Sequence, residues 1–169
     1  MKKGIHLLAI LIILLSFSCS TPSLEEELEF FGLEQTADEE NSAPKISPLA
    51  TEVFSLINSY RSDLNLAKLE WSDLAYDLAL NHNEHMVETE SLNHDNFNWR
   101  KSKISLQENA SEVAENISRH FVDSQEVLEA WLMNQIHRQH IEGDYNNSAV
   151  AVSTDDKGQY YLTQIYFKK

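Results

Sequence analysis

Three helical-period stripes followed by two β-rich runs that face each other across a tight turn constrain this chain most, and they place its folded part at residues 48 to 169. Val53, Leu56, Ile57, Tyr60 and Leu64 recur at the spacing of one helix face, behind Ser47 as a cap and Pro48 at the first helical position. Ser72-Asp73 opens a second helix, with Leu74, Ala75, Leu78, Ala79, His82 and Met86 along one side. Asp123, with Glu126 three residues later, opens a third. Its buried stripe is Val127, Leu128, Trp131, Leu132 and Ile136, and His137-Arg138 are expected on the same helix. Ala149 to Val152 and Tyr160 to Phe167, joined through Asp155-Asp156-Lys157-Gly158, predict a β-hairpin. Leu69-Glu70-Trp71 reads as an extended link that plugs Trp71 into the core, and Glu115 to Val122 as a strand. Residues 90 to 113 read as polar and irregular, apart from a short turn around Trp99 to Ile104. Helices and an antiparallel hairpin without a βαβ rhythm imply an α+β sandwich of layers. Gly143 and Gly158 are the domain's only glycines, which argues against a phosphate-cradling loop and a nucleotide fold.

The N-terminal part reads differently. Lys2 and Lys3 precede an unbroken apolar run, Leu7 to Leu15, too short to span a bilayer but placed as the core of an export signal. Ser16-Phe17-Ser18 then leads into Cys19, the chain's single cysteine, so no intramolecular disulfide can form. The arrangement resembles a bacterial lipobox, which implies that residues 1–18 are removed and that Cys19 is acylated. The domain would then face the periplasm or the cell exterior, held to a bacterial membrane by lipid. Residues 19–47 are strongly acidic and punctuated by proline, which predicts a solvated, flexible tether. The formal charge of −14 becomes −16 once Lys2 and Lys3 leave with the signal. Such a balance argues against nucleic acid and against electrostatic docking on anionic lipid, while a basic peptide or a cation stays compatible.

Two residues stand out as chemistry. His94 sits in the polar loop Leu92-Asn93-His94-Asp95-Asn96 rather than on an apolar face. Glu115 opens an apolar segment, so its carboxylate should be partly buried and must find a partner or shift its pKa. Imidazoles are natural partners, and with His137 these groups predict a polar site of two imidazoles and one carboxylate. His82 and His85, three apart around Asn83-Glu84, do not have the spacing of a zincin pair and read as a partly buried or surface pair. His140 reads as a packing or loop-facing residue, and His120 as incidental.

The order Asn58-Xaa-Tyr60-Arg61, Leu69-Glu70-Trp71, Asn93-His94-Asp95, Glu115-Asn116-Ile117, Trp131 with His137-Arg138-Xaa-His140-Ile141, and Tyr161-Leu162-Thr163-Gln164 resembles the CAP superfamily. This is the cysteine-rich secretory, antigen 5 and pathogenesis-related-1 group, and the likeness is to its small bacterial, SCP-like extracellular branch. It covers about residues 50 to 168. The resemblance implies a three-layer α-β-α sandwich with an antiparallel sheet and a cleft lined by His94, Glu115 and His137. Asn134 and Tyr161 stand where the animal members carry a second Glu and a second His, so their four-residue site is incomplete here.

Three functions fit these residues. His94, Glu115 and His137 could fill three positions of a tetrahedral zinc or another divalent metal, leaving the fourth for water. Glu115 could then serve a peptidase-like hydrolase by activating that water, or act with His94 as acid and base. The third and favoured function is a lipid-anchored extracellular binding module whose ligand is a peptide, glycan or lipid. Trp71 and Trp131 read as core anchors, and Gln164 as a brace between its strand and the loop of His94.

Overall fold

A computed structural model describes residues 46–121 and 123–169. The export signal, Cys19 and all but the last two residues of the tether lie outside the described residues. Among those described, no helix is long and apolar enough to cross a membrane.

The chain runs α1 (Pro48–Asp63), β1 (Glu70–Trp71), α2 (Asp73–Glu88), α3 (Phe97–Glu108), β2 (Glu112–Arg119), α4 (Ser124–Met133), α5 (Gln135–Glu142), β3 (Asn147–Thr154) and β4 (Tyr160–Lys168). The strands form one sheet in the order β1-β3-β4-β2. The β3–β4 and β4–β2 pairs are antiparallel, and the two residues of β1 join β3 in parallel. Period-two alternation sends Ala114, Val150, Leu162 and Tyr166 to one face, against α1, α4 and α5. Val113, Ala149, Ala151, Ile165 and Phe167 go to the other, against α2 and α3. The architecture is thus the α-β-α sandwich expected, and β2 stands at the edge of its central layer.

Local chemistry explains the helix starts. The Ala75 N–H donates to Ser72 Oγ, and the Gln125 and Glu126 N–H groups donate to Asp123 Oδ1. Pro48 occupies the first turn of α1, where Ser47 makes no side-chain cap bond. Gly158 turns the β3–β4 hairpin with φ +77°, a backbone region that suits glycine.

Several expectations need correction. Trp131 and His137 lie on two helices, because Asn134 takes an extended conformation and its Oδ1 caps the second by accepting from the Ile136 and His137 N–H groups. Ile136 is therefore turned out to solvent, 61 % exposed. Residues 97–108 form a three-turn helix rather than a short turn. The strand holding Glu115 starts at Glu112 and ends at Arg119. Trp71 is half-buried at the sheet's rim, edge-on to Phe54 at 5.1 Å, and Leu69 takes the deeper position. Gln164 braces strands, not the His94 loop: its Nε2 donates to Ser148 Oγ and its Oε1 accepts from the Tyr166 hydroxyl.

Trp131 is an anchor as expected, 1 % exposed, with its indole N–H donating to the Ile117 carbonyl. Trp131→Ala should cost about 3–5 kcal/mol as a large core truncation. His137→Ala, half-buried beside it, should perturb the cleft with little loss of fold. Urea unfolding of both variants checks the contrast, which equal destabilisation would contradict.

Candidate functional site

The site is built around Glu115 at the sheet edge. Because side chains alternate along β2, Glu115 points toward α2 and α3, while Asn116 points toward α5. The Glu115 side chain is 1 % exposed, and three groups hold it. Arg100 Nε donates to Oε2 at 2.8 Å and Arg100 Nη2 to Oε1 at 2.7 Å, a two-pronged grip. His94 Nδ1 lies 2.8 Å from Oε1 and, facing an ionised carboxylate, acts as the donor. His82 Nε2 approaches the same oxygen at 3.9 Å. Burial pushes the Glu115 carboxyl up, but the hydrogen bonds from His94 and Arg100 and the guanidinium charge outweigh it, and the net pKa lies below the ordinary carboxylate value.

Arg100 also fastens the loop that carries His94. Its Nη1 donates to the Asp95 carbonyl at 2.6 Å, and the Asp95 N–H donates to Asn93 Oδ1. His82, 2 % exposed on α2, donates from Nε2 to the Asn93 carbonyl at 2.8 Å, so it closes the same loop from beneath. Across the sheet edge, Asn116 Nδ2 donates to the His137 carbonyl, and Asn116 Oδ1 accepts from His140 Nδ1 at 2.8 Å. Burial lowers the pKa values of His137 and His140, and the charge of His94 lowers both further.

Of the three residues singled out from sequence, His94 and Glu115 touch directly. His137 packs edge-on to Trp131 with ring centroids 6.4 Å apart and makes no hydrogen bond to Glu115. The residues that complete the carboxylate's surroundings, Arg100 and His82, were not singled out. His82 carried a usable signal, since it lies on the apolar stripe of its helix. Arg100 carried a weaker one, an arginine one helical turn before Ile104 in a polar stretch.

A metal ion does not fit Glu115 in this arrangement. Its oxygens are held by a guanidinium, which a cation would have to displace, and His94 has only Nε2 left to offer. Among the described residues, no three His, Cys, Asp or Glu side chains converge closely enough to hold a metal.

Two hollows open beside this cluster. One, about 540 Å³, lies between α2 and α3 and is lined by His82, Glu84, His85, Glu88, Trp99 and Arg100 among others. The second, about 560 Å³, lies along the loop from His94 to Trp99. Asn96 and Trp99 line both.

Buried neutral imidazoles make the domain sensitive to acid. The pKa values of His82, His137 and His140 all lie below the ordinary 6.5, chiefly because of burial. Below about pH 6.5 the unfolded chain therefore takes up protons that the folded rings refuse, and stability falls as pH drops toward the folded values. The urea midpoint should fall between pH 7.5 and 5.5, and His82→Gln should flatten that slope. An unchanged slope would contradict the role given to His82.

The profile of the cysteine-rich secretory protein family, CAP, matches residues 54–166. The chain belongs to the CAP family. The uncharacterized membrane protein YlbC of Bacillus subtilis is 30 % identical over 122 residues, which are 70 % of this chain and 34 % of that protein. The chain thus spans about a third of that relative's length. Among solved structures, an outer surface protein of Borrelia burgdorferi superposes with a TM-score of 0.65 at 18 % identity, over 72 % of this chain and 92 % of that one. An extracellular SCP-domain protein of Bacillus anthracis gives 0.62 at 23 % identity, over 76 % and 45 %. At these identities the two structures establish the CAP fold alone.

Proposed function

We propose that this CAP-family protein is a lipid-anchored extracytoplasmic ligand-binding module, with its recognition surface at the His94 side of the sheet edge. In this reading residues 1–18 are removed, Cys19 carries the lipid, residues 19–47 form the tether, and residues 48–169 form the domain. The observation that carries it is the engagement of Glu115. A carboxylate that is to serve as a base or a metal ligand needs an open lone pair and access to its partner. Glu115 is buried, held below the usual carboxylate range, and gripped on both oxygens. Its chemistry is spent on rigidity. It fixes α3 and the His94 loop to the edge strand, which pre-organises the hollows beside them at no ordering cost on binding. Membrane-associated and extracellular relatives support the exported setting.

The test is a peptide and glycan binding screen of the full chain against His94→Ala and His137→Ala variants, run with zinc and with chelator. The expected result is a ligand bound intact, weakened by His94→Ala, and indifferent to chelator. A zinc-dependent rise in melting temperature that vanishes in His94→Ala, together with turnover of the ligand, would favour the metal-dependent hydrolase instead.

A further inference from the structure

The hollow between α2 and α3 has an unusual distribution of charge. Glu84 and Glu88 stand one helical turn apart on α2 and both line it or its rim. Both are exposed, and neither makes a hydrogen bond or an ion pair among the described residues. Like charges at this spacing repel one another and weaken the helix, so the fold gains nothing from keeping them unpaired. Arg100, the only basic side chain among the lining residues named, is 3 % exposed and its charge is matched by Glu115. The hollow is thus open to positive charge.

Its aromatic wall points the same way. Trp99 is 50 % exposed, and Lys103 Nζ already rests 5.6 Å from its ring centroid. Lys103 is exposed, so an ammonium from a ligand can take its place on this indole face. His82 supplies a third, independent observation. It is 2 % exposed yet lines the hollow, and its Nε2–H is used on the Asn93 carbonyl. Its Nδ1 has no hydrogen-bond partner among the described residues and, in that tautomer, bears a lone pair. A ring acceptor with no protein partner, on a residue that lines the hollow, suits an incoming N–H donor.

We infer that this hollow is a subsite for a cationic side chain, a lysine or arginine of a bound peptide, placed against Trp99 between the Glu84 and Glu88 carboxylates with His82 Nδ1 accepting at its base. The inference deepens the ligand-binding reading and rests on it. An organic cation fits better than a metal ion, because an indole wall offers a metal no ligand and, among the described residues, no three carboxylates or imidazoles converge closely enough to hold one. Burial keeps the His82 ring neutral, so its acceptor stays available near neutral pH.

The test measures binding of a hexapeptide of alternating lysine and glycine to the full chain by tryptophan fluorescence and calorimetry, beside the same peptide with acetylated lysines. Three variants are compared: Trp99→Ala, the pair Glu84→Gln/Glu88→Gln, and, as a matched loss of charge on the opposite helical layer, Glu52→Gln/Glu129→Gln. The inference expects saturable binding of the charged peptide and at least tenfold weaker binding of the acetylated one. It also expects about tenfold loss in Trp99→Ala and in the Glu84/Glu88 pair, with less than threefold loss in the Glu52/Glu129 pair. Equal losses in the two charge pairs would reduce the effect to the chain's general acidity and overturn the subsite. No binding of the charged peptide overturns it as well. If another peptide or a glycan then binds and is lost in His94→Ala, the binding-module reading survives without the cationic subsite.

Discussion

Arg61→Met is expected to cost about 3–5 kcal/mol, because the buried Ile141 carbonyl and three half-buried carbonyls each lose a strong donor at about 1–3 kcal/mol, offset in part by water and by the buried thioether. Arg61 is 1 % exposed and, among the described residues, has no carboxylate partner. Its Nε donates to the Ala67 carbonyl at 2.9 Å and Nη1 to the Ile141 and Gly143 carbonyls at 2.7 and 2.9 Å. Nη2 donates to the Tyr145 carbonyl at 3.0 Å. One guanidinium therefore closes the turn after α1 and the turn after α5 at once. Burial lowers its pKa, yet arginine stays charged at any pH of interest. Such a loss is comparable to the whole stability of many domains, so equilibrium urea unfolding should show a variant partly unfolded in buffer. Arg61→Lys should recover only part of it, because one ammonium cannot reach all four acceptors. A loss below about 1 kcal/mol in Arg61→Met would contradict this role.

Glu115→Ala is the second large effect. It leaves the buried Arg100 guanidinium without its counter-ion, which is expected to cost about 3–5 kcal/mol. The double variant Arg100→Leu/Glu115→Leu removes both charges and should lose far less than the sum of the single changes. A double-mutant cycle on unfolding free energies isolates the coupling. The pH dependence carries a definite sign. Since the folded pKa of Glu115 is depressed, its contribution is present above the unfolded value near 4.5 and is lost as pH falls through the folded value. A carboxylate retained for catalysis predicts the opposite for Glu115→Ala, a near-neutral or stabilising change.

Sequence pattern captured the elements whose burial follows a simple period. The stripe of α1 from Val53 to Tyr60, the stripe of α2, the Trp131 turn of α4 and the hairpin around Gly158 all put apolar groups where one face meets the core, whereas Leu64, expected on the first stripe, lies beyond Asp63 and is 47 % exposed. It failed where polar residues take core-facing positions. Helix α3 buries only Arg100 and Ile104, so a count of apolar residues has nothing to follow there. The break at Asn134 was masked because Val127 to Ile136 keep a helical period across it, while a side-chain cap ends one helix and starts the next. The contact between His94 and Glu115 was legible, because a carboxylate in an apolar strand must have a partner. The identity of its strongest partner was not, since Arg100 lies on α3, an element with no apolar signature. Gln164 was assigned the wrong neighbour because its register opposite Asn116 and Val150 depends on strand pairing, which single-strand composition does not encode.

Glu115 as a locked brace is the claim on which the functional reading turns, and an NMR pH titration of its side-chain carboxyl carbon tests it most directly. The account predicts a midpoint below the ordinary value of 4.5 that moves upward in His94→Ala. A midpoint above the ordinary carboxylate range in the unaltered protein, as a general acid or base would show, would contradict it.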